Sequence, residues 1–263
     1  MRAPGVAAML VILAFAAVPA RAEQADNTRS FPVIDFGAFW WEPPLTGEIG
    51  FPSRVDGADN KIDLSQDLGF KSVAAVPVAK VHVFVSDRWL LRLEYWQRDQ
   101  EADSILARSV VFGSVRFPAG ERVTSSFTAR NADLIAAYEI PLLRKLSISV
   151  AGGINVFSYQ QRISGRSGSD EFSIVQTSGL LGLAGEWALS DRFGLWSCSM
   201  GSFDKGIAGD QFLIRTDTAL LVRILKRIRF SIGYRSFWFG GKGDGNSLHF
   251  EQMGPYAGFT AGF

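Results

Sequence analysis

The chain lacks most of the residues on which disulfide-stapled, helical membrane and nucleic-acid-binding proteins depend. Its 263 residues include one cysteine, Cys198, so no intramolecular disulfide can form. No apolar run reaches the roughly 20 residues that a transmembrane helix requires. The 27 basic and 26 acidic residues nearly balance. Nucleic acid binds to basic protein surfaces, so it is not an expected partner.

The first residues predict an export signal. Arg2 precedes an apolar segment at 6–18, and Ala20-Arg21-Ala22 has the small-x-small pattern that signal peptidase cleaves. We predict a signal peptide at 1–22, a flexible N-terminus at 23–32 and one domain at 33–263. A membrane anchor is the alternative, but the segment is about 13 residues, too short to cross a bilayer. Cleavage leaves 25 basic against 26 acidic residues.

Long stretches of the middle of the chain alternate between apolar and polar residues. In 147–156, Ile148, Val150, Ile154 and Val156 share one face of a strand, and Ser147, Ser149 and Asn155 share the other. The same period of two recurs in 80–85, 215–224 and 229–235. A membrane-barrel strand places its apolar residues toward lipid and its polar residues toward the lumen. The pattern therefore predicts an all-β, antiparallel, up-and-down transmembrane β-barrel.

The links between these strands alternate in length. Short polar links at 86–88, 141–145, 190–192 and 226–227 are predicted periplasmic turns. Longer links at 42–71, 102–121, 165–171, 204–210 and 240–246 are predicted extracellular loops. Starting from a first strand at 33–41, this gives about ten strands. Eight or twelve remain possible, since 109–117 could form a raised hairpin and 47–51 a further strand.

A soluble β-sandwich or lipocalin-like barrel in the periplasm is the structural rival, because its strands also alternate. Three features favour the membrane: long strands, the asymmetry of the links, and the C-terminal residue Phe263. Aromatic residues support this choice, with Trp89, Trp187 and Phe193 near the short turns and Trp40, Tyr95 and Trp238 near the opposite strand ends. Phe259, Ala261 and Phe263 form an apolar last-strand face of the kind that barrel-assembly machinery reads, which makes that machinery an expected partner.

Several motifs resemble a widespread and functionally obscure group of Gram-negative outer-membrane β-barrel proteins, related to the small OmpA- and OmpW-like barrels. The resemblance covers most of the mature chain and is carried by Trp41 and by the segments 46–48, 62–64, 67–70, 88–95, 117–120 and 254–258. It implies the barrel fold and an outer-membrane location. It brings no catalytic residues.

If the apolar faces point to lipid, many charged residues must point into the lumen. A barrel of about ten strands has a nearly filled interior, and open channels are typical of about 16–18 strands. Interleaved cations and carboxylates can satisfy one another there. We therefore predict a plugged lumen held by an ion-pair lattice, formed by Asp35, Lys80, His82, Arg92, Glu94, Arg98, Asp133, Glu139, Glu186, Arg215, Asp217, Arg223, Arg229 and Arg235.

The predicted function is a structural or surface-interaction role through the extracellular loops, without a cofactor. A narrow pore for small solutes is the first alternative. A lipid or peptide hydrolase is the second, with His82 and either Asp133 or Glu139 as an acid–base pair. The loop acids Asp56, Asp59, Asp63 and Asp67 lack the spacing of a calcium site, so no metal is expected. Outer-membrane lipids and lipopolysaccharide are expected partners, with Arg162, Arg166 and Lys205 near the phosphates.

Overall fold

The alternating stretches fold into strands through almost all of the chain that can be described. The computed structural model describes residues 33–51, 61–71, 73–206, 209–243 and 246–262. The predicted signal peptide with its cleavage after Ala22, the segment 23–32, Asp56, Asp59 and Phe263 lie outside these residues. The strands within them are β1 (Val33–Trp41), β2 (Leu45–Gly50), β3 (Lys61–Asp63), β4 (Val76–Phe84), β5 (Trp89–Ile105), β6 (Val110–Phe112), β7 (Val115–Phe117), β8 (Arg122–Leu143), β9 (Leu146–Gly165), β10 (Gly168–Ala188), β11 (Phe193–Gly206), β12 (Gly209–Leu225), β13 (Ile228–Gly243) and β14 (Asn246–Gly262).

Ten of these strands close into an antiparallel barrel. Their order is β1, β4, β5, β8 and then β9 to β14, and β1 closes the ring by pairing with β14. This confirms the predicted all-β, up-and-down barrel of ten strands. The segments that left the count open do form strands, but outside the ring. β2 continues along β14 above β1 and carries β3, while β6 and β7 form a separate hairpin.

The two ends of the barrel differ in their connections. At the turn end, the linking segments 85–88, 144–145, 189–192 and 226–227 are short, as predicted. Ser86 and Ser190 begin two Ser-Asp-Arg turns, in which the serine Oγ accepts hydrogen bonds from the N–H groups two and three residues later, at 3.1–3.3 Å. Short turns of outer-membrane barrels face the periplasm.

At the opposite end, the loop end, the predicted loop lengths were partly wrong. The β1–β4 and β5–β8 connections are long and contain the additional strands. The other three pairs of strands are separated by only two residues each, whereas the predicted loops at 165–171, 204–210 and 240–246 were longer. The difference arises because the strands continue well beyond the length that a bilayer requires, so residues assigned to loops belong to the wall.

The polarity of the wall reverses along β9. Toward the turn end, Val150 and Ile154 are 51% and 53% exposed on the exterior, and Asn155 is buried inside. Toward the loop end, Arg162 is exposed, while Phe157 and Ile163 are buried inside. The turn-end half therefore has a lipid-facing exterior and an interior that contains buried polar groups, and we call it the membrane half. The other half, the loop half, has a mainly polar exterior and an interior in which apolar side chains predominate.

The segment 61–71 folds into the loop half and covers the interior. Asp67 N–H donates to the Asp63 carbonyl at 3.1 Å, and Asp63 Oδ1 accepts from the N–H groups of residues 65 and 66 at 2.8 and 2.7 Å. Gly69 ends this single helical turn with φ of 71°, which glycine adopts without strain. Its apolar side chains are buried: Ile62, Leu64, Leu68 and Phe70. Among the described residues, no helix is long and apolar enough to cross a membrane.

Candidate functional site

The interior of the barrel is stacked in three layers, which together form the candidate site. Nearest the turn end is a cavity, above it lies an ion-pair lattice, and above that an aromatic layer fills the loop half. Each layer is built from inward-facing residues of the same strands, because alternate residues of a strand face the same side of the wall.

The ion-pair lattice crosses the middle of the barrel. Lys80, Glu94 and Asp133 are side by side on β4, β5 and β8, and Asp217 and Arg235 are side by side on β12 and β13. The carboxylate oxygens of Glu94 lie 2.9 Å from Arg235 Nη1, 3.2 Å from Arg215 Nη2 and 3.4 Å from Lys80 Nζ. Arg235 Nη2 also donates to Asp217 Oδ2 at 3.0 Å, and Arg215 Nη1 to Asp133 Oδ2. All six side chains are buried.

The lattice is electrically balanced, with three cations and three carboxylates. A buried charge is costly unless it is paired and hydrogen-bonded, and here each of the six contacts at least one group of opposite sign. Neutral amides extend the network, since Asn155 Nδ2 donates to Asn131 Oδ1 at 2.7 Å, and Asn131 donates to Asp133 at 3.1 Å. The structure thus brings together Lys80, Glu94, Asp133, Arg215, Asp217 and Arg235 from the predicted set.

The aromatic layer lies directly above the lattice. The Trp96 ring centroid is 5.1 Å from that of Phe237 and 5.8 Å from that of Trp41, and Phe157 lies 4.5 Å from Phe239. The Arg235 guanidinium is 5.5 Å from the Trp41 ring centroid, which joins the two layers by a cation–π contact. Further rings extend the layer toward the loop end: Phe250, Tyr159, Phe127 and Phe70.

Sequence reasoning missed this aromatic layer, although a signal was present. Trp96, Phe157 and Phe237 each follow, by two residues, an inward polar residue of the same strand: Glu94, Asn155 and Arg235. Extending the alternation by one step therefore places these rings inside the barrel.

The remaining predicted lumen residues are spread over other parts of the interior. Arg229 Nη2 lies 2.9 Å from Asp35 Oδ2 in a separate ion pair near the turn end. Arg98 lies in the loop half, where it donates to the Pro43 carbonyl at 3.1 Å. Glu186 and Arg223 are exposed, so the prediction that they belong to an enclosed lattice does not hold for them. Both lie near strand ends next to the short turns, where solvent reaches the inward face.

A cavity of about 140 Å³ lies in the membrane half, on the turn-end side of the lattice. Lys80, His82 and Arg92 line it, and so does the half-buried Glu139. His82 Nε2 is buried without a hydrogen-bond partner among the described residues, so it does not form the proposed acid–base pair with Asp133 or Glu139 through that atom. The described residues contain no cluster of three or more potential metal ligands.

Comparisons with known proteins agree with this architecture. No protein-family model matches the chain, and no curated protein matches it in sequence. Among solved structures, it is similar to the outer-membrane protease OmpT from Escherichia coli, with 10% identity, a TM-score of 0.60, and coverage of 91% of this chain and 100% of that one. The fold is that of an outer-membrane β-barrel.

The translocator domain of the autotransporter NalP from Neisseria meningitidis is also similar, with 10% identity, a TM-score of 0.50, and coverage of 98% of this chain and 94% of that one. The fold and the apolar exterior of the membrane half together place the chain in the outer membrane, as the resemblance of its motifs implied. Likeness at this level of identity concerns the fold, and neither the proteolysis of OmpT nor the translocation of NalP follows for this chain.

Proposed function

We propose that the chain is a sealed outer-membrane barrel without catalytic activity, which acts in a structural or surface-interaction role through its loop half. The observation that carries the proposal is the stacking of the ion-pair lattice and the aromatic layer across one lumen. A continuous water path would have to pass between paired buried charges and then between rings in contact with one another. Each layer is costly to open, because it would leave charges unpaired or rings without neighbours.

The loop half is suited to present a fixed surface above the membrane. Its exterior is polar, and its connections are tied to the wall by side-chain hydrogen bonds. Ser114 N–H donates to Asp170 Oδ2 at 2.7 Å, and Ser167 N–H donates to Glu121 Oε1 at 2.8 Å. Arg108 Nε donates to Asp67 Oδ1 at 3.0 Å, which fixes the segment 61–71. These ties support recognition by a preformed surface.

Lipid and assembly partners belong to the same proposal. Arg162 and Arg166 are exposed in the loop half, where they can meet lipopolysaccharide phosphates. The side chain of Lys205, the third expected contact, lies outside the described residues. Phe259 is 54% exposed on the exterior of β14, and the neighbouring outward residue is Ala261. This apolar outward face supports the proposal that the assembly machinery recognises the last strand.

Planar-bilayer recordings test the sealed lumen directly. The purified protein should insert without stable, resolved conductance steps, while a general porin in the same bilayers gives them. Stable steps from the wild-type protein would refute the proposal in favour of a narrow pore. If the steps arise in this lumen, Glu94→Gln should alter them. Glu101→Gln, on the exterior of the same strand, should leave them unchanged.

A further inference from the structure

The cavity in the membrane half has walls of two kinds. Phe39, Leu90, Ile135 and Leu221 supply an apolar surface from four different strands. Cationic and polar groups lie among them: Lys80, His82, Arg92, Ser149 and Ser231. Binding sites for small molecules typically combine a mainly apolar lining with a few polar groups that converge on one point.

Arg92 is the unusual member of this lining. It is only 6% exposed, yet its Nη2 faces the sulfur atoms of Met200 and Cys198 at 3.6 and 4.0 Å, which are weak acceptors. Among the described residues, its Nε is buried without a hydrogen-bond partner, and no carboxylate lies within 4.0 Å of its guanidinium. By contrast, the buried cations Lys80, Arg215 and Arg235 of the lattice each have a carboxylate. Glu94 of the lattice acts on Arg92 only from beyond ion-pair range. A buried arginine with no carboxylate in hydrogen-bond range is costly, and an anionic ligand would lower that cost.

His82 offers a second group at the same place. It is the direct cross-strand neighbour of Arg92, so the two side chains leave β4 and β5 about 5 Å apart. Its Nε2 is also buried and unpartnered among the described residues. Arg229, another cation of the lining, is already engaged by Asp35. Two unpartnered buried nitrogens of the cavity lining, Arg92 Nε and His82 Nε2, therefore belong to neighbouring side chains. In the tautomer with its proton on Nε2, His82 can donate to the same anion as Arg92.

Two carboxylates line the cavity on the side of the turn end. Glu139 and Glu186 line it near the ends of β8 and β10, next to the short turns, and Glu186 is exposed. A multiply charged anion such as phosphate would have to pass both carboxylates, whereas a monoanion with an apolar body meets less repulsion and gains contact with the apolar wall. The lattice and the aromatic layer close the opposite side.

We propose that this cavity binds a small organic carboxylate, which enters from the turn end and places its carboxylate on Arg92 and His82. The volume of about 140 Å³ is close to the roughly 150 Å³ of an engineered apolar cavity that holds benzene. The body of the ligand is therefore about six carbon atoms in size and packs against Phe39, Leu90 and Ile135. This site does not depend on the lumen being sealed. The bilayer recordings can therefore refute the sealed lumen without refuting the binding site, and the binding test can refute the site without refuting the sealed lumen.

Isothermal titration calorimetry of the purified full-length protein in detergent micelles, with sodium benzoate and sodium butyrate as probes, tests the site. Wild type should give saturable heat with one site per chain. Arg92→Leu should weaken binding by at least about tenfold, because it removes hydrogen bonds to a charged group. Arg223→Leu is the matched control, since Arg223 is an exposed arginine at the same end that does not line the cavity, and it should bind as wild type does.

Ala151→Leu provides a second variant that keeps every charge but fills the space, and it should also weaken binding. The folding of each variant is judged by its heat-dependent gel shift. If Arg92→Leu does not fold, the affinity of Ala151→Leu for benzoate tests the site instead. The assignment is overturned if wild type shows no saturable heat, if the cavity variants that fold bind as wild type does, or if phosphate or butylamine binds as tightly as benzoate.

Discussion

Replacing Glu94 with glutamine should destabilise the barrel more than any other isosteric change of a single charge. Glu94 is 1% exposed and holds three cations within 3.4 Å: Lys80, Arg215 and Arg235. The variant leaves three buried cations facing two carboxylates, so one positive charge loses its compensation. Breaking a buried pair in this way costs about 3–5 kcal/mol. With a urea m-value of about 2 kcal/mol/M, a loss of about 4 kcal/mol lowers the unfolding midpoint by about 2 M.

Reversible urea unfolding in lipid vesicles, followed by tryptophan fluorescence, measures this shift. Glu101→Gln is the matched control, because Glu101 is exposed on the exterior of the same strand and should change stability by less than about 0.5 kcal/mol. Lys80→Met in the Glu94→Gln background removes a cation as well and should recover part of the loss. A change below about 1 kcal/mol for Glu94→Gln would show that water screens these charges, and the dry lattice would be refuted.

Three further changes probe the loop half. Phe157→Ala in the aromatic layer should cost about 3–5 kcal/mol by opening a cavity between rings, measured by the same urea assay. Gly69→Ala should cost about 1–2 kcal/mol and speed proteolysis of 61–71, because φ is 71° and the new Cβ would lie 3.2 Å from Ser104 Cβ. Hydrogen bonds from Ser167 hold the pKa of Glu121 below its usual value, so this tie stabilises the fold above the unfolded pKa and is lost as the pH falls through the folded pKa. Hydrogen exchange at Ser167, corrected for its intrinsic pH dependence, should rise from about pH 6 to about pH 3 in wild type but stay flat in Glu121→Gln.

The alternation of the sequence sufficed to predict the wall but not the full interior. The first strand was predicted with its observed bounds, Val33–Trp41, and both Ser-Asp-Arg turns lie where they were expected. These features depend on local residue types and a period of two. The aromatic layer was missed because one polarity rule was applied to the whole length of each strand, whereas the rule reverses between Val156 and Gln160 on β9.

Contacts across the lumen could not be predicted from local pattern at all. Arg215 and Glu94 are 121 residues apart, and their contact depends on the register of every strand pair between them. The prediction therefore identified lattice members without identifying their partners. It also counted Glu186 and Arg223 as enclosed, since strand alternation gives the direction of a side chain but not its depth in the barrel.

The reversal of polarity implies that the two halves are stabilised by different forces. In the membrane half, lipid surrounds the apolar exterior, and the buried charges of the interior are stabilised by pairing with one another. In the loop half, water surrounds the exterior, and burial of rings such as Trp96 and Phe157 supplies the driving force for folding.

Replacing the whole lattice with apolar residues of similar volume should then be neutral or stabilising, because the desolvation cost of the charges is removed with them. Placing one unpaired carboxylate at Phe157 should instead unfold the loop half while the membrane half keeps its strands. If hydrogen exchange showed equal loss of protection in both halves, the barrel would be a single cooperative unit and this division would be wrong.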